Sequence, residues 1–215
     1  EDPVCVKRPV EPALPKIDDG IDGLRIAVAG GYFKRGASTE ALEAVARIAE
    51  ALGATREIEI PEAARARAAA YVITATEGAA LHLDRLRTRA GDFDPATRDR
   101  LIAGALAPAA LVVNAQKFRR WYRGEVLKLF DGVDAILAPA TPFPAPRIGQ
   151  QTMRLEGAEV PLRPNIGIFT QPISFIGLPV VAVPVALGLP LTPLPIGVQV
   201  IAAPWREDVA LRIAR

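Results

Sequence analysis

The sequence predicts an α/β fold in which a mixed, largely buried β-sheet is flanked by helices. Short apolar runs of strand length alternate with longer helical patterns along most of its 215 residues, and this alternation is typical of α/β proteins. Twelve of the 20 prolines lie between Pro139 and Pro195, where they interrupt apolar runs that a long buried helix would have to keep intact. Residues 165–185 are therefore expected to form turns and short buried strands.

The first part of the chain predicts a connector followed by a β-α-β unit. The first 23 residues contain four prolines, which indicates an extended connector that runs over a surface. Residues 24–30 (LRIAVAG) then predict a strand, a helix capped by Ser38 follows, and residues 55–60 (TREIEI) alternate as a second strand does. A strand, a helix and a strand in this order predict parallel pairing in the sheet.

The middle of the chain predicts three helices and one strand. An Ala-rich helical pattern covers residues 61–89, and a third helical pattern covers residues 108–130. Between them, Asp94 and Pro95 are expected to be the cap and the first position of another helix. The apolar run DAILAPA, at residues 134–140, predicts a buried strand.

The last third predicts a hairpin, two apolar strands and a helix. The stretch RLEGAEVPLRPN is expected to form a small hairpin or exposed flap that turns at Glu156 and Gly157. The runs LPVVAVPV and PIGVQVIAA predict buried strands, and a helical pattern reaches Arg215 without a stop signal. Because the sequence also begins without Met, we expect a piece of a longer protein.

Composition and charge argue against several classes of protein. Hydrophobic residues make up 50% and charged residues 23%, as in globular proteins. No apolar run reaches the ~18 residues of a membrane span, and a net charge of +2 gives no field typical of nucleic-acid binding. Neither a membrane nor a nucleic acid is therefore expected as a partner. The basic cluster KFRRWYR remains an alternative RNA-binding patch, although Phe118 and Tyr122 share one helix face. A single cysteine, Cys5, rules out an internal disulfide and indicates a reducing cytoplasm.

Side chains that can carry out catalysis are few. The sequence has one histidine, His82, and two serines, Ser38 and Ser174. A Ser-His-Asp site would need His82, but this residue lies in an Ala-rich and Leu-rich helix, where a surface or packed histidine is the simpler interpretation. One His and one Cys do not supply a zinc site, and neither a Walker loop nor a dinucleotide fingerprint is present. We therefore expect no metal and no cofactor.

Three loops are candidates for function, because ligands gather at the carboxyl ends of strands in open sheets. They are APATPFPAP, GIFTQPISFIGLP and APWRED, and an ordinary surface turn is the alternative for each. Around these loops the sequence resembles the C-terminal half of an enzyme of the amidase signature family. The matching blocks, in family order, are LRIAVAGGYF, ITATEGAALH, DPATRDRLIAGAL, VVNAQKFRRWYR, DAILAPATPFPAP, NIGIFTQPISFIGLPVVAVPV and LPIGVQVIAAPWRED. The last two blocks resemble the carboxybiuret hydrolase type of amidohydrolase, and resemble the amidase-like component of glutamyl-tRNA amidotransferase less.

The resemblance implies a fold, an activity and a set of partners. Residues 24–215 would form the C-terminal portion of an amidase-like α/β domain. The whole enzyme would hydrolyse a C–N bond of a linear amide, or of a carboxylated urea such as carboxybiuret, by serine acyl transfer. The family's triad of serine, cis-serine and lysine lies upstream of the region seen here, so no catalytic residue is assigned to this chain. The expected partners are the small-molecule amide, the missing N-terminal half, and a small accessory subunit or further copies of the chain.

By position in the family pattern, five residues are candidates for substrate binding. Arg100 is expected to hold a carboxylated substrate through a bidentate contact, with an ordinary surface arginine as the alternative. Asn165, Phe169, Thr170 and Gln171 precede a Gly-Leu-Pro turn and are expected to line the pocket, with packing as the alternative, above all for Phe169. Another hypothesis for the whole chain is a naturally truncated, non-catalytic homologue that serves as a binding or scaffold subunit.

Overall fold

The computed structural model describes residues 5–188 and 194–215. Within them lie seven strands, seven α-helices and three short 3-10 helices. The strands are β1 (Ile26–Ala29), β2 (Arg56–Ile58), β3 (Ala135–Pro139), β4 (Thr152–Leu155), β5 (Ala158–Pro161), β6 (Val180–Val185) and β7 (Ile196–Ala202). The helices are α1 (Thr39–Ala51), α2 (Ala63–Thr88), α3 (Pro95–Ala105), α4 (Ala109–Leu129), α5 (Leu162–Asn165), α6 (Gln171–Ser174) and α7 (Glu207–Ala214).

Five of these strands form one mixed sheet in the order β2-β1-β3-β7-β6. Strand β1 pairs in parallel with both β2 and β3, whereas β7 is antiparallel to both β3 and β6. The predicted α/β fold with a mixed sheet is confirmed. The β-α-β unit is confirmed as well, because β1, α1 and β2 follow one another and the two strands pair in parallel.

Side chains of the central strands alternate between two apolar layers, one on each face of the sheet. Ile136 and Ile201 belong to the layer that contains residues of α2, α4 and α6. Leu137 and Val200 belong to the layer that contains residues of α1 and α7. All four side chains are fully buried. Helices therefore cover the sheet on both faces, which explains why these strands are continuous apolar runs.

Both predicted helix caps are present. The Oγ atom of Ser38 accepts a hydrogen bond from the backbone nitrogen of Ala41 at 3.3 Å and caps α1. Asp94 accepts one from the backbone nitrogen of Thr97 at 3.1 Å and caps α3. Each cap satisfies one of the backbone donors that a helix leaves unpaired in its first turn.

The predicted hairpin is formed by β4 and β5, which pair antiparallel. Its two turn residues, Glu156 and Gly157, have φ angles of 49° and 84°. Two consecutive residues in the left-handed region are what a tight two-residue hairpin requires. The prediction of a turn at these two residues is therefore confirmed.

The segment that precedes β6 is more helical than predicted. Pro172 is the second residue of α6, and Pro164 is the third residue of α5. The first N–H groups of a helix have no partner inside the helix, so a proline there removes no hydrogen bond. The expectation of turns and strands alone over residues 165–185 is therefore wrong at α6, because prolines that exclude a long helix still permit a single helical turn.

Strand β6 is also less buried than predicted. It lies at the edge of the five-stranded sheet, its residues alternate between exposed and half-buried up to the buried Val185, and Val180 is 38% exposed. The prediction of a buried strand is wrong here because an edge strand has a neighbour on one side only. Strand β7 lies inside the sheet and is buried at all but one residue, as predicted.

The predicted connector is described from residue 5 onward, and residues 1–4 lie outside the described part. Residues 5–23 contain the 3-10 helix Leu14–Lys16 and no other regular element. Contacts with α7 hold the end of this stretch, since Arg212 donates a hydrogen bond to the carbonyl oxygen of Gly20 at 2.8 Å. The division into residues 1–23 and 24–215 stays a prediction.

Among the described helices, none is by itself long and apolar enough to cross a membrane. Helices α3 and α4 satisfy that test of length and composition only when they are joined across a bend of 100°.

Candidate functional site

Four of the five predicted site residues lie in the connection between the β4–β5 hairpin and β6. This connection contains α5, α6 and the turn at Gly177. Gly177 has a φ of +70°, a left-handed conformation that suits glycine, and β6 begins three residues later at Val180. We call residues 162–177 the anchored segment.

Side chains from other elements hold the backbone of the anchored segment. Five of its carbonyl oxygens accept hydrogen bonds from such side chains. The pairs are Arg67 with Pro164, Tyr32 with Ile168, Gln199 with Phe169, Arg119 with Phe175, and Arg123 with Ile176. Helical turns this short cannot satisfy their own carbonyl groups, so these donors fix the path of the segment.

Arg67 of α2 joins two of the predicted site residues. Its Nη2 atom lies 2.8 Å from Oδ1 of Asn165 and 2.9 Å from the carbonyl oxygen of Pro164. Its Nε atom lies 3.1 Å from Oε1 of Gln171. Arg67 is not predicted from the sequence, because it stands in an Ala-rich helix and its partners follow 97 to 104 residues later.

Phe169 and Thr170 lie between these two amide side chains. The ring of Phe169 is fully buried and stacks on Phe33, with 5.8 Å between the ring centroids. The hydroxyl group of Thr170 donates to the carbonyl oxygen of Gly167 at 3.3 Å. Both side chains therefore make contacts within the protein that support the anchored segment.

Arg100 of α3 packs against α2. Its guanidinium group lies over the ring of Tyr71, 4.5 Å from the centroid, and it donates a hydrogen bond to the hydroxyl group of Thr74. Its Nε atom is buried and has no hydrogen-bond partner among the described residues. Arg100 is therefore half-buried and held by α2, and is not a freely solvated surface arginine.

Arg67 and the two residues that Arg100 contacts lie on one face of α2. Tyr71 and Thr74 follow Arg67 by four and seven residues, a spacing that places all three on the same face. At 1.5 Å per residue, the contact of Arg100 with Thr74 lies about 10 Å along the helix axis from Arg67. The structure therefore brings Asn165 and Gln171 together at Arg67 and places Arg100 further along this face of α2.

Two tyrosines contact the anchored segment, Tyr32 at Ile168 and Tyr122 at the ring of Phe175. Burial raises the pKa of the Tyr32 phenol, and the nearby Arg67 and Arg35 act against this effect. Burial also raises the pKa of Tyr122, whose hydroxyl group has no hydrogen-bond partner among the described residues. At neutral pH Tyr32 is therefore a neutral donor, and it gives its hydrogen to the carbonyl oxygen of Ile168 at 3.0 Å.

The other residues weighed from the sequence make structural contacts. His82 packs edge-on against Phe93 with 5.7 Å between ring centroids, and Ser38 caps α1. In the basic cluster KFRRWYR, Phe118 and Tyr122 stack at 5.9 Å, while two of its arginines donate into the anchored segment. The described residues hold no group of three or more His, Cys, Asp or Glu side chains placed to bind a metal ion.

An apolar cavity of about 410 Å³ lies elsewhere, between α1 and strands β1 and β2. Lys34 and Glu57 line it and form an ion pair with each other. None of the five predicted site residues lines this cavity. We therefore base the candidate site on the convergent polar side chains around Arg67 and not on cavity size.

The chain is similar to proteins of known families along nearly its whole length. A profile of the amidase family matches residues 1–211. AtzE of Pseudomonas sp. (strain ADP), a component of 1-carboxybiuret hydrolase, is 48% identical over 214 residues, which cover 100% of this chain and 47% of that protein. A component of the glutamyl-tRNA(Gln) amidotransferase of Geobacter metallireducens is 31% identical over 242 residues, which cover 99% of this chain and 48% of that protein.

Solved structures agree with these matches. One of them matches with a TM-score of 0.95 at 48% identity, over 99% of this chain and 46% of the matched chain. It is described as an unexpected vestigial protein complex, with inhibitor bound, that reveals the evolutionary origins of an s-triazine catabolic enzyme. A crystal structure of an amidase has a TM-score of 0.76 at 28% identity, and the match covers 91% of this chain and 44% of that amidase. The chain thus spans about half the length of the relatives it matches.

Proposed function

The chain belongs to the amidase family, and from that premise we propose that the whole protein hydrolyses a C–N bond of a linear amide or of a carboxylated urea such as carboxybiuret. The resemblance to the amidase signature family in the sequence motifs is thereby confirmed, and the chain corresponds to the C-terminal portion of such an enzyme. The observation that carries the proposal is the 48% identity, over all of this chain, to a protein named as a component of 1-carboxybiuret hydrolase.

The proposed chemistry is serine acyl transfer. A serine hydroxyl group attacks the amide carbonyl carbon, a lysine and a second serine carry its proton to the leaving nitrogen, and ammonia or an amine departs. Water then hydrolyses the acyl-enzyme to the acid. We propose that these groups come from a part of the protein outside this chain. In support, Ser38 is a helix cap and Ser174 ends the short helix α6.

For this portion we propose the role of a substrate-binding wall. Arg100 and Gln171 would contact the substrate, since a half-buried guanidinium group can bind a carboxylate through two parallel hydrogen bonds. Asn165, Phe169 and Thr170 would give the wall its shape, in keeping with their contacts inside the protein. A wall that carries cations and N–H donors favours a carboxylated amide over an uncharged one.

We also propose a small accessory subunit for the intact protein. The matched structure with the TM-score of 0.95 is described as a protein complex. Helices α3 and α4 and the turn between them expose the large apolar side chains of Ile102, Leu106, Leu111 and Val113, of which Leu106 is 78% exposed. Such neighbouring apolar side chains are typical of a contact surface between proteins.

The test is ammonia release by the full-length protein, that is, this chain joined to the portion that its relatives have and it does not cover. The panel holds small amides and carboxylated ureas. We expect turnover of a carboxylated urea, and Arg100→Gln should raise KM about tenfold because it removes a charge-assisted hydrogen-bond pair.

The matched control is Arg98→Gln, two residues earlier on α3, whose arginine pairs with the exposed Asp99. It should leave KM unchanged. A folded full-length protein that binds these compounds but releases no ammonia from any of them would support the hypothesis of a non-catalytic binding protein.

A further inference from the structure

We propose that Arg67 is a positioning residue that presents the amide nitrogen of Gln171 to the substrate and so sets the preference for carboxylated amides. This inference rests on the amidase function proposed above. It starts from the three acceptors of the Arg67 guanidinium group, which are Oε1 of Gln171, Oδ1 of Asn165 and the carbonyl oxygen of Pro164.

A guanidinium group fixes which way an amide side chain points. It has hydrogen-bond donors and no acceptor, so only the oxygen of an amide can face it. With its oxygen held by Arg67 at 3.1 Å, the Gln171 side chain must turn its NH₂ group away from Arg67. Without this contact, the amide would be free to rotate and could offer either its oxygen or its nitrogen to a ligand.

The two amide side chains that Arg67 holds differ in whether their NH₂ group has a hydrogen-bond partner. The Nδ2 atom of Asn165 donates to the carbonyl oxygen of Pro161 at 2.8 Å, so this side chain is occupied at both ends. Nε2 of Gln171 has no hydrogen-bond partner among the described residues, and the side chain is half-buried. Asn165 therefore anchors the segment, whereas Gln171 has two N–H donors left for a ligand.

Free donors and positive charge on one wall select for a ligand that is rich in acceptors. The wall offers Nε2 of Gln171, which Arg67 holds in place, together with the guanidinium group of Arg100. A carboxylated urea brings carboxylate and carbonyl oxygens, whereas a simple alkyl amide brings one carbonyl oxygen. Sites built to hydrogen-bond a polar group discriminate strongly against analogues that lack it.

The experiment measures steady-state ammonia release by the full-length protein with two substrates of similar size, a carboxylated urea and an uncharged amide. Arg67→Gln and Gln171→Met should each raise KM for the carboxylated urea about tenfold, the loss expected for a charge-assisted hydrogen bond. Both variants should leave kcat and the KM of the uncharged amide within about threefold. Because Arg67 acts through Gln171, the double variant should be no worse than either single variant.

Arg67→Lys separates orientation from charge. Lysine keeps the positive charge but cannot bond the three acceptors as a planar fork does, so it should fail to restore KM. The matched control is Arg65→Gln, two residues away on α2, whose arginine is exposed and bonds Glu62 within its own turn. Arg65→Gln should change neither the KM of the carboxylated urea nor the KM of the uncharged amide.

Three outcomes would overturn the inference: equal losses with both substrates, additive losses in the double variant, or full rescue by lysine. Calorimetric binding of the carboxylated urea and of the uncharged amide to the same variants separates this inference from the proposed function. Binding preference that depends on Arg67, without ammonia release, would sustain the inference and refute the hydrolase. If the protein releases ammonia and its substrate preference does not change in the Arg67 variants, the hydrolase function is supported and this inference is refuted.

Discussion

The central sheet and the anchored segment lie side by side but are stabilised differently. In the sheet, strands β3 and β7 bury apolar side chains on both faces. In the anchored segment, five carbonyl groups depend on donors that lie between 30 and 136 residues away in the sequence. Gln199 belongs to both regions, since it lies in β7 and bonds the carbonyl oxygen of Phe169 at 3.1 Å. The comparison teaches that burial determines the stability of this fold, whereas a few polar side chains determine the shape of its candidate site.

The largest expected loss of stability comes from the sheet. Ile136 is fully buried in β3, and Ile136→Ala should lower the free energy of unfolding by about 3 kcal/mol because it removes buried methyl groups and leaves a cavity. Denaturant titration of the full-length protein measures this. The control Ile148→Ala, at a side chain that is 107% exposed, should change the free energy by less than about 0.5 kcal/mol.

A loss nearly as large should follow from Gln199→Leu, which tests the link between the two regions. The Nε2 atom of Gln199 donates hydrogen bonds to the carbonyl oxygens of Pro139, at 2.8 Å, and Phe169, at 3.1 Å. Both acceptors would be left buried and unpaired, which costs about 2 kcal/mol. The exposed Gln150→Leu serves as the control in the same titration. If Gln199→Leu proves neutral, the anchored segment does not depend on this donor.

A smaller, local loss should follow from Arg123→Gln. Arg123 donates from Nε to the carbonyl oxygen of Ile176 at 3.2 Å, and losing this bond should cost about 1 kcal/mol. Hydrogen exchange of the backbone amides of residues 173–178 should quicken, while exchange in β3 stays unchanged. Arg120→Gln, an exposed position on the same helix, is the control. Equal quickening in β3 would contradict the separation of the two regions.

The smallest effect concerns the end of the sheet and is seen in how its stability changes with pH. Hydrogen bonds from the Arg25 guanidinium group to Asp134, 3.1 Å long, lower the pKa of this carboxyl group. A lowered pKa means that the stabilisation is complete above the unfolded value of about 3.9 and is lost as pH falls through the folded value. Asp134→Asn should therefore flatten the decline of the melting temperature below about pH 4. Arg25→Gln should do the same, with no further change in the double variant.

Local signals in the sequence were sufficient for most of the fold. The caps at Ser38 and Asp94, the turn at Glu156 and Gly157, and the apolar runs of β3 and β7 each depend on neighbouring residues. The helical turn α6 was not predicted, because prolines that exclude a long buried helix do not exclude a single turn, whose first residues accept Pro172. The edge position of β6 was missed because an apolar run does not show which strands lie beside it.

The candidate site was predictable only in part. Gln171 and Asn165 stood in a recognisable block, and the structure places them together. Their common partner, Arg67, has no local pattern that distinguishes it from other arginines of α2. A hydrogen bond between residues about a hundred positions apart depends on how the helices pack in the folded protein. No pattern of neighbouring residues predicts such a contact.

The side chains that hold the anchored segment bond to backbone carbonyl groups, and this has a consequence for how the proposed substrate-binding surface can diversify. Every amino acid carries the same carbonyl group, so exchanging a side chain within residues 165–176 leaves these acceptors in place. The donors that hold the loop are encoded outside it. New substrate contacts can therefore be tried one side chain at a time on a loop whose course does not change, which makes this stretch a favourable starting point for directed evolution.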